Sequence, residues 1–444
     1  MKITPLAAAL SMLFCMTASA QETEPAPAAA SPATALLCGQ VFDAASGKML
    51  GASTILIDGK RIRSISAGHA GVGEATVIDL AELTCLPGLI DMHTHLTSET
   101  SPHGYEEGFR LNPADYALRG TAYAARTLLA GFTSVRDLGD SGNASIALRN
   151  AIDQGFVKGP RIFTAGKSIA TTGGHADPTN GRNWDLTGDP GPKEGVINSV
   201  DDARKAVRQH YKEGVDVIKI TSTGGVLSYA KNGQNPQFTV EEIKAITTTA
   251  RDYGLRVAAH AHGDEGIQRA ILGGVDSIEH GTYMSDATMK LMKQHGTWYV
   301  PTLSAGAYVA DKARTAGYYP EIVRPKALAI GPQIKATFAR AYQSGVKIAF
   351  GTDAAVFPHG DNGHELTLMV EAGMPASVAL QAATVSAAEL LDQSADLGSL
   401  SAGKYADVIA VRGNPLDNIA VMERVDFVMK DGVVHKPLTN LSVR

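Results

Sequence analysis

Two histidines one residue apart, His93 and His95 in "DMHTHL", are the first residues of the chain whose types and spacing suit chemistry. If this stretch is a strand, residues i and i+2 share a face, so both imidazoles can reach one metal ion. A His-x-His pair alone is weak evidence. Three more metal-compatible side chains close short apolar runs elsewhere: His260 ends "RVAAH", His280 ends "SIEH" and Asp353 ends "IAFGTD". Lys219 lies in the β-branched run "VDVIKI", where a buried ammonium must be paired or neutralised. By itself that lysine has three readings: a stem packed in the core with its head at the surface, a Schiff-base nucleophile, or a partner of the histidines.

The elements that must position these residues follow one repeated rule. A helical stretch ends in glycine and a short apolar run follows, at Gly131, Gly214, Gly254, Gly274, Gly296 and Gly345. Glycine suits the left-handed residue after a helix, and the runs read as strands buried on both faces. With "GLIDMHTHL" and "PRIFTAG" the strands number eight. The spacing predicts an α/β fold, a closed (β/α)8 barrel of TIM type over residues 87–396, which puts every one of these residues at the carboxyl ends of strands, where such barrels build their sites. An open doubly wound sheet is the runner-up, but no glycine-rich dinucleotide fingerprint follows the first strand. Residues 35–86 and 397–444 read instead as short strands with Asp-Gly and Ser-Gly turns, expected to pair into one small β-sandwich built from both chain ends.

Hydrophobic residues make up 44% of the 444 and charged residues 19%, with a formal charge of -5, so no bulk field attracts nucleic acid. Residues 1–20 have the grammar of a signal peptide: Lys2, a short apolar run, and Ala18-Ser19-Ala20 at the cut. The run is shorter than the ~20 residues of a membrane span. Residues 21–34 are rich in proline and alanine and read as a disordered tether. The expectation is an exported, periplasmic chain with no membrane attachment after cleavage. Cys38 and Cys85 remain in the mature chain, and either a disulfide or two buried thiols fits them.

"PGLIDMHTHL", the lone histidines ending the fifth and sixth strands, and "GTDA" ending the eighth together resemble the amidohydrolase superfamily across nearly the whole mature chain. The resemblance implies a binuclear centre of two divalent cations. His93, His95 and Asp353 would bind the more buried ion and His260 and His280 the more exposed one, with Lys219 bridging both as N6-carboxylysine. Zinc is the expected metal, since it suits imidazole and oxygen ligands. Paired cations lower the pKa of a water between them, and Asp353 is the catalytic carboxylate that would take its proton and pass it to the leaving amine.

Loop residues bear on the substrate. His175 in "TTGGHA" and Tyr229 in "TGGVLSY" sit on glycine-rich loops at the expected mouth, and His359 in "FPHGDN" is a further candidate. These stretches are similar to the branch of Xaa-Pro dipeptidases and N-acyl-amino-acid hydrolases that takes in ochratoxin-hydrolysing amidohydrolases. There the strand-three histidine and loop-four tyrosine are thought to meet the carboxylate of a C-terminal amino acid. The branch implies a small-molecule or dipeptide substrate and a homo-oligomer, commonly an octamer. His364 stands where relatives often carry another residue, which leaves its role open. His262 shares a strand face with His260, and His69, His103, His210, His295 and His435 are assigned to surface or packing. A cyclic-amide hydrolase of imidazolonepropionase type and a non-catalytic periplasmic binding protein are the alternatives, distinguished by activity on a ring amide and by binding without turnover.

Overall fold

Gly131, Gly214, Gly254, Gly274, Gly296 and Gly345 all have positive φ, as the helix–glycine–strand rhythm requires. The computed structural model describes residues 33–69 and 71–438, so the signal peptide and nearly all of the tether lie outside the described residues. The strands Leu89–Thr94, Phe132–Asp137 and Arg161–Thr164 form one parallel sheet, and Val217–Thr221, Arg256–Ala261, Ser277–His280 and Trp298–Val300 form a second. Helices such as Pro113–Leu129, Val200–Glu213, Val240–Asp252 and Asp264–Gly273 connect successive strands.

The two sheets are joined by single backbone bonds. Ile169 N–H donates to the Lys219 carbonyl at 2.8 Å, and Thr221 N–H donates to the Ile169 carbonyl at 3.1 Å. The expected eighth strand is not a regular one. Residues 347–354 are tied on one side to Tyr299, whose N–H donates to the Lys347 carbonyl at 2.8 Å. On the other side Met92 N–H donates to the Phe350 carbonyl at 3.0 Å and Asp353 N–H to the His93 carbonyl at 2.8 Å. The ladder breaks because Thr352 N–H is taken by the Asp91 carboxylate at 3.1 Å and Asp353 turns left-handed at φ 60°.

The two flanks meet in one eight-stranded sheet. Thr76–Pro87 pairs in parallel with Thr34–Asp43 and antiparallel with Val408–Val411, so the amino-terminal and carboxyl-terminal segments share a ladder. Leu36, Ile55, Leu80, Val408, Phe427 and Met429 belong to a buried cluster separate from the main core. Cys38 and Cys85, both fully buried there, are joined as a disulfide between the two parallel strands. Among the described residues no helix is long and apolar enough to cross a membrane.

Candidate metal centre

His93 and His95 leave the end of the Leu89–Thr94 strand on one face, as alternation demands. Each imidazole is fixed by the nitrogen turned away from the cavity. His93 Nδ1 meets Glu279 Oε2 at 2.9 Å, and His95 Nδ1 meets the Gly139 carbonyl at 2.8 Å. A carboxylate and a carbonyl only accept, so Nδ1 carries the proton in both rings and Nε2 keeps its lone pair. Both lone pairs face Asp353 Oδ1, at 3.5 Å from His93 and 3.3 Å from His95. His260 is fixed the other way round: its Nε2 meets the Gly224 carbonyl at 3.1 Å, which frees Nδ1. His280 Nδ1 is held by Thr302 Oγ1 at 2.7 Å.

One nitrogen from each of His93 and His280 and one oxygen of Asp353 lie within 4.8 Å of one another. Lys219 Nζ is 3.4 Å from His93 Nε2. The His260 ring lies 4.6 Å from His280 and 4.2 Å from His175. Three residues here are left-handed without being glycine: His280 at φ 69°, Thr302 at φ 55° and Asp353 at φ 60°. Such conformations cost about 1–3 kcal/mol each and persist where the surroundings impose them, here at successive strand ends around the cavity.

The electrostatics suit a cation. Burial pushes His93 and His175 down to about 4 and His262 to about 3. His260 and His280 are driven well below the usual range by burial and by their neighbouring imidazoles. Burial would raise Asp353, but His93 and His95 hold its carboxyl at about 2. Against burial, the Asp353 carboxylate raises His95; the other imidazoles, neutral around an ionised carboxylate, are in their metal-binding forms, and a cation in place of the proton on His95 completes a donor set that fits divalent metal. Lys219 is brought down to about 8 by burial, against the pull of Glu279 and Asp353.

Beneath the imidazoles lies a buried ion pair that sequence reasoning missed. Glu279 takes Arg136 Nη2 at 2.8 Å as well as His93, and Arg136 Nε also donates to the Met92 carbonyl at 2.7 Å. Burial would raise Glu279, but Arg136 and His93 keep it ionised, at about 2. Asp91 was missed as well. It accepts from the His93 and Thr352 amides and from the Thr352 hydroxyl and Asn362 amide. Its spacing two residues before His93, on the same strand face, was the available signal; for Glu279, standing beside His280, there was none.

The centre opens into a cavity of about 490 Å³ that His175 and His262 also line, with an apolar wall from Val226, Leu227, Val309, Ile330, Ile334 and Val356. The other candidates sit elsewhere. Tyr229 is 66% exposed and is not among the cavity's lining residues, because its loop turns the ring to solvent. His359 is buried outside the cavity lining, stacked on Tyr123 at 5.0 Å with Nε2 on the Ser98 carbonyl at 2.9 Å, so it braces a segment of the cavity rim. His364 is exposed and bonded to Glu423 at 3.0 Å. His210, expected at the surface or in packing, is packed, fully buried between the Ala206 and Lys167 carbonyls.

Comparison with known proteins gives the same picture. Residues 84–435 match the model of the Amidohydrolase family. The chain is 33% identical over 369 residues to an ochratoxinase of Aspergillus niger, an alignment covering 79% of this chain and 75% of that one. Among solved structures it is similar to a Xaa-Pro dipeptidase with methionine bound in the active site, at 51% identity and a TM-score of 0.89, covering 91% of this chain and 100% of that one. It is also similar to a prolidase complexed with N-methylphosphonate-L-proline, at 31% identity and a TM-score of 0.84, covering 91% and 100%. With the family model spanning most of the sequence and the histidine–aspartate cluster at its strand ends, the chain belongs to the amidohydrolase family, and it is an enzyme.

Proposed function

We propose that the protein hydrolyses amide bonds that release a C-terminal amino acid, from dipeptides such as Xaa-Pro or Xaa-Phe and from N-acyl amino acids, and that ochratoxin A, cleaved to ochratoxin alpha and phenylalanine, is among its substrates. The observation that carries this reading is the His93–His280–Asp353 cluster at the base of an apolar-walled cavity. The names of the relatives, an ochratoxinase, a dipeptidase and a prolidase, point to the same bond class.

His93, His95 and Asp353 would hold one cation and His260 and His280 a second, with zinc the expected metal for this ligand set. When bound, the cations supply an activated water and polarise the scissile carbonyl. The remaining work belongs to side chains of this chain. Asp353 accepts the proton that the attacking water loses and returns it to the leaving nitrogen, one carboxylate serving as base and then acid. Glu279 and Gly139 keep the His93 and His95 lone pairs aimed inward. Lys219 is read as N6-carboxylysine. Its lowered pKa leaves some neutral amine at neutral pH, the form that attacks CO2. The N–C bond forms, a proton leaves, and the product is an anion that both cations would share. The apolar wall suits an uncharged side chain, and His175, which lines the same cavity, would meet a substrate carboxylate.

The bonds of residues 347–354 to Tyr299 on one side and to Met92 and His93 on the other support a closed (β/α)8 barrel, and the shared ladder of the two flanks, with its own core, supports a β-sandwich beside it. Export to a periplasm after cleavage at Ala20 and assembly as a homo-oligomer belong to the same reading.

Metal analysis together with hydrolysis of a panel of N-acyl, Xaa-Pro, Xaa-Phe and Xaa-Leu substrates tests it. The expected result is about two ions per chain, and a fall in kcat of at least ~100-fold in Asp353→Asn, the scale of a lost general acid–base. Fewer than one ion per chain, or full activity in the variant, overturns the reading.

A further inference from the structure

Thr221 follows Lys219 by two residues on the Val217–Thr221 strand, so both side chains leave the same face, and both line the cavity. Its Cα stands in register with His260 on the neighbouring strand. Thr221 is 2% exposed, and its Oγ1 has no hydrogen-bond partner. Among the described residues, the buried hydroxyls in that condition are Thr127, Thr221, Ser304 and Tyr319, and of these Thr221 alone lines the cavity. A valine would fill the same space without leaving a buried hydroxyl unpaired, which costs stability. The neighbouring hydroxyls are already committed: Thr302 to His280, Thr282 to His262, Ser228 to His175 and Thr223 to the Gly224 carbonyl.

Two strand residues rise by roughly 6.6 Å, a separation within the span of a lysine side chain of four methylenes lengthened by a carbamate. An ammonium there offers donors only and gives a hydroxyl proton nothing to bond. A carbamate, like a carboxylate, presents two oxygens with about four lone-pair sites, of which two cations would use only part. In a site this buried a remaining lone pair calls for an O–H or N–H.

We propose that Thr221 is a positioning residue whose hydroxyl donates a hydrogen bond to an oxygen of the Lys219 carbamate. The proposal rests on the carboxylysine reading given above. It makes the hydroxyl a determinant of how readily the carbamate forms and persists, separate from the ligands themselves.

The test uses the full chain, stripped of metal and reloaded with Zn2+ over a series of ¹³C-bicarbonate concentrations, with the carbamate carbon followed by ¹³C NMR and metal content measured alongside. Thr221→Val is expected to need about tenfold or more bicarbonate for half-maximal carbamate, the scale of a lost hydrogen bond to a charged group. Thr221→Ser, which keeps the hydroxyl, is expected to restore the wild-type curve. Should the valine variant fail to fold, Thr221→Ala gives the same comparison. A carbamate signal in the wild type that valine or alanine leaves unmoved overturns the proposal alone. No carbamate signal in the wild type overturns the carboxylysine reading, and this proposal with it.

Discussion

Lys219 is fully enclosed, a burial that is costly for an ammonium and that turns favourable for an anion flanked by cations. Lys219→Ala is therefore expected to lose nearly all activity, and short carboxylic acids such as acetate or propionate are expected to restore part of it by taking the carbamate's place. Initial rates with and without the acids check this, and a variant with unchanged metal content would count against a bridging role. At this scale the metal-compatible residues of the cavity were legible in the sequence. Strand alternation and single histidines at run ends depend only on local spacing, which is why His93, His95, His260, His280 and Asp353 all stand around one cavity. Glu279 and Arg136 were not legible, because each lies inside an ordinary apolar run and gains meaning only across strands, Glu279 being 143 residues from Arg136.

Among the elements, the helix Leu303–Lys312 begins without a capping side chain of its own, its preceding residue Thr302 being left-handed and committed to His280. Glu365 supplies the cap from a distant helix: Oε1 accepts from Leu303 N–H at 2.8 Å and Oε2 from Ser304 N–H at 2.6 Å. Those bonds favour the ionised form, yet burial dominates and raises the Glu365 carboxyl to about 8. Unfolded, the group loses its proton near its ordinary value of 4.5, whereas folded it keeps the proton to about 8. Between those values the folded state binds more protons, so this contribution to stability is complete below the unfolded pKa and is lost as pH rises through the folded one. Glutamine does not titrate. Thermal melts of Glu365→Gln beside wild type, from about pH 5 to about pH 8.5, are expected to show the wild-type advantage shrinking as pH rises; parallel curves would refute the assignment. The helix–glycine–strand rhythm announced the elements themselves, since each glycine meets a local demand for positive φ. The irregular eighth segment was hidden because Asp91, far away in sequence, takes the Thr352 amide.

For the whole molecule, the eight-stranded sheet ties residues near both ends of the described chain into one ladder, and the Cys38–Cys85 disulfide closes a loop of sequence separation 47 within it. Chain-entropy reasoning gives a bridge of that span up to about 4 kcal/mol, with roughly 2–4 kcal/mol typical. A double variant, Cys38→Ala with Cys85→Ala, is expected to unfold at a lower urea concentration than the oxidised wild type, its extrapolated unfolding free energy lower by that margin, and equal midpoints would show that the bridge contributes nothing.

Taken alone, the sequence determined the helix–strand alternation, the two β-rich flanks and the metal-compatible residues at strand ends, because periodicity and turn chemistry are local properties. Tertiary structure alone decided which nitrogen of each imidazole faces the cavity, that Tyr229 points to solvent and His359 braces the rim, and that the cysteines are bonded. Each of those outcomes depends on loop paths and cross-strand neighbours distant in sequence, and local spacing carries no record of them.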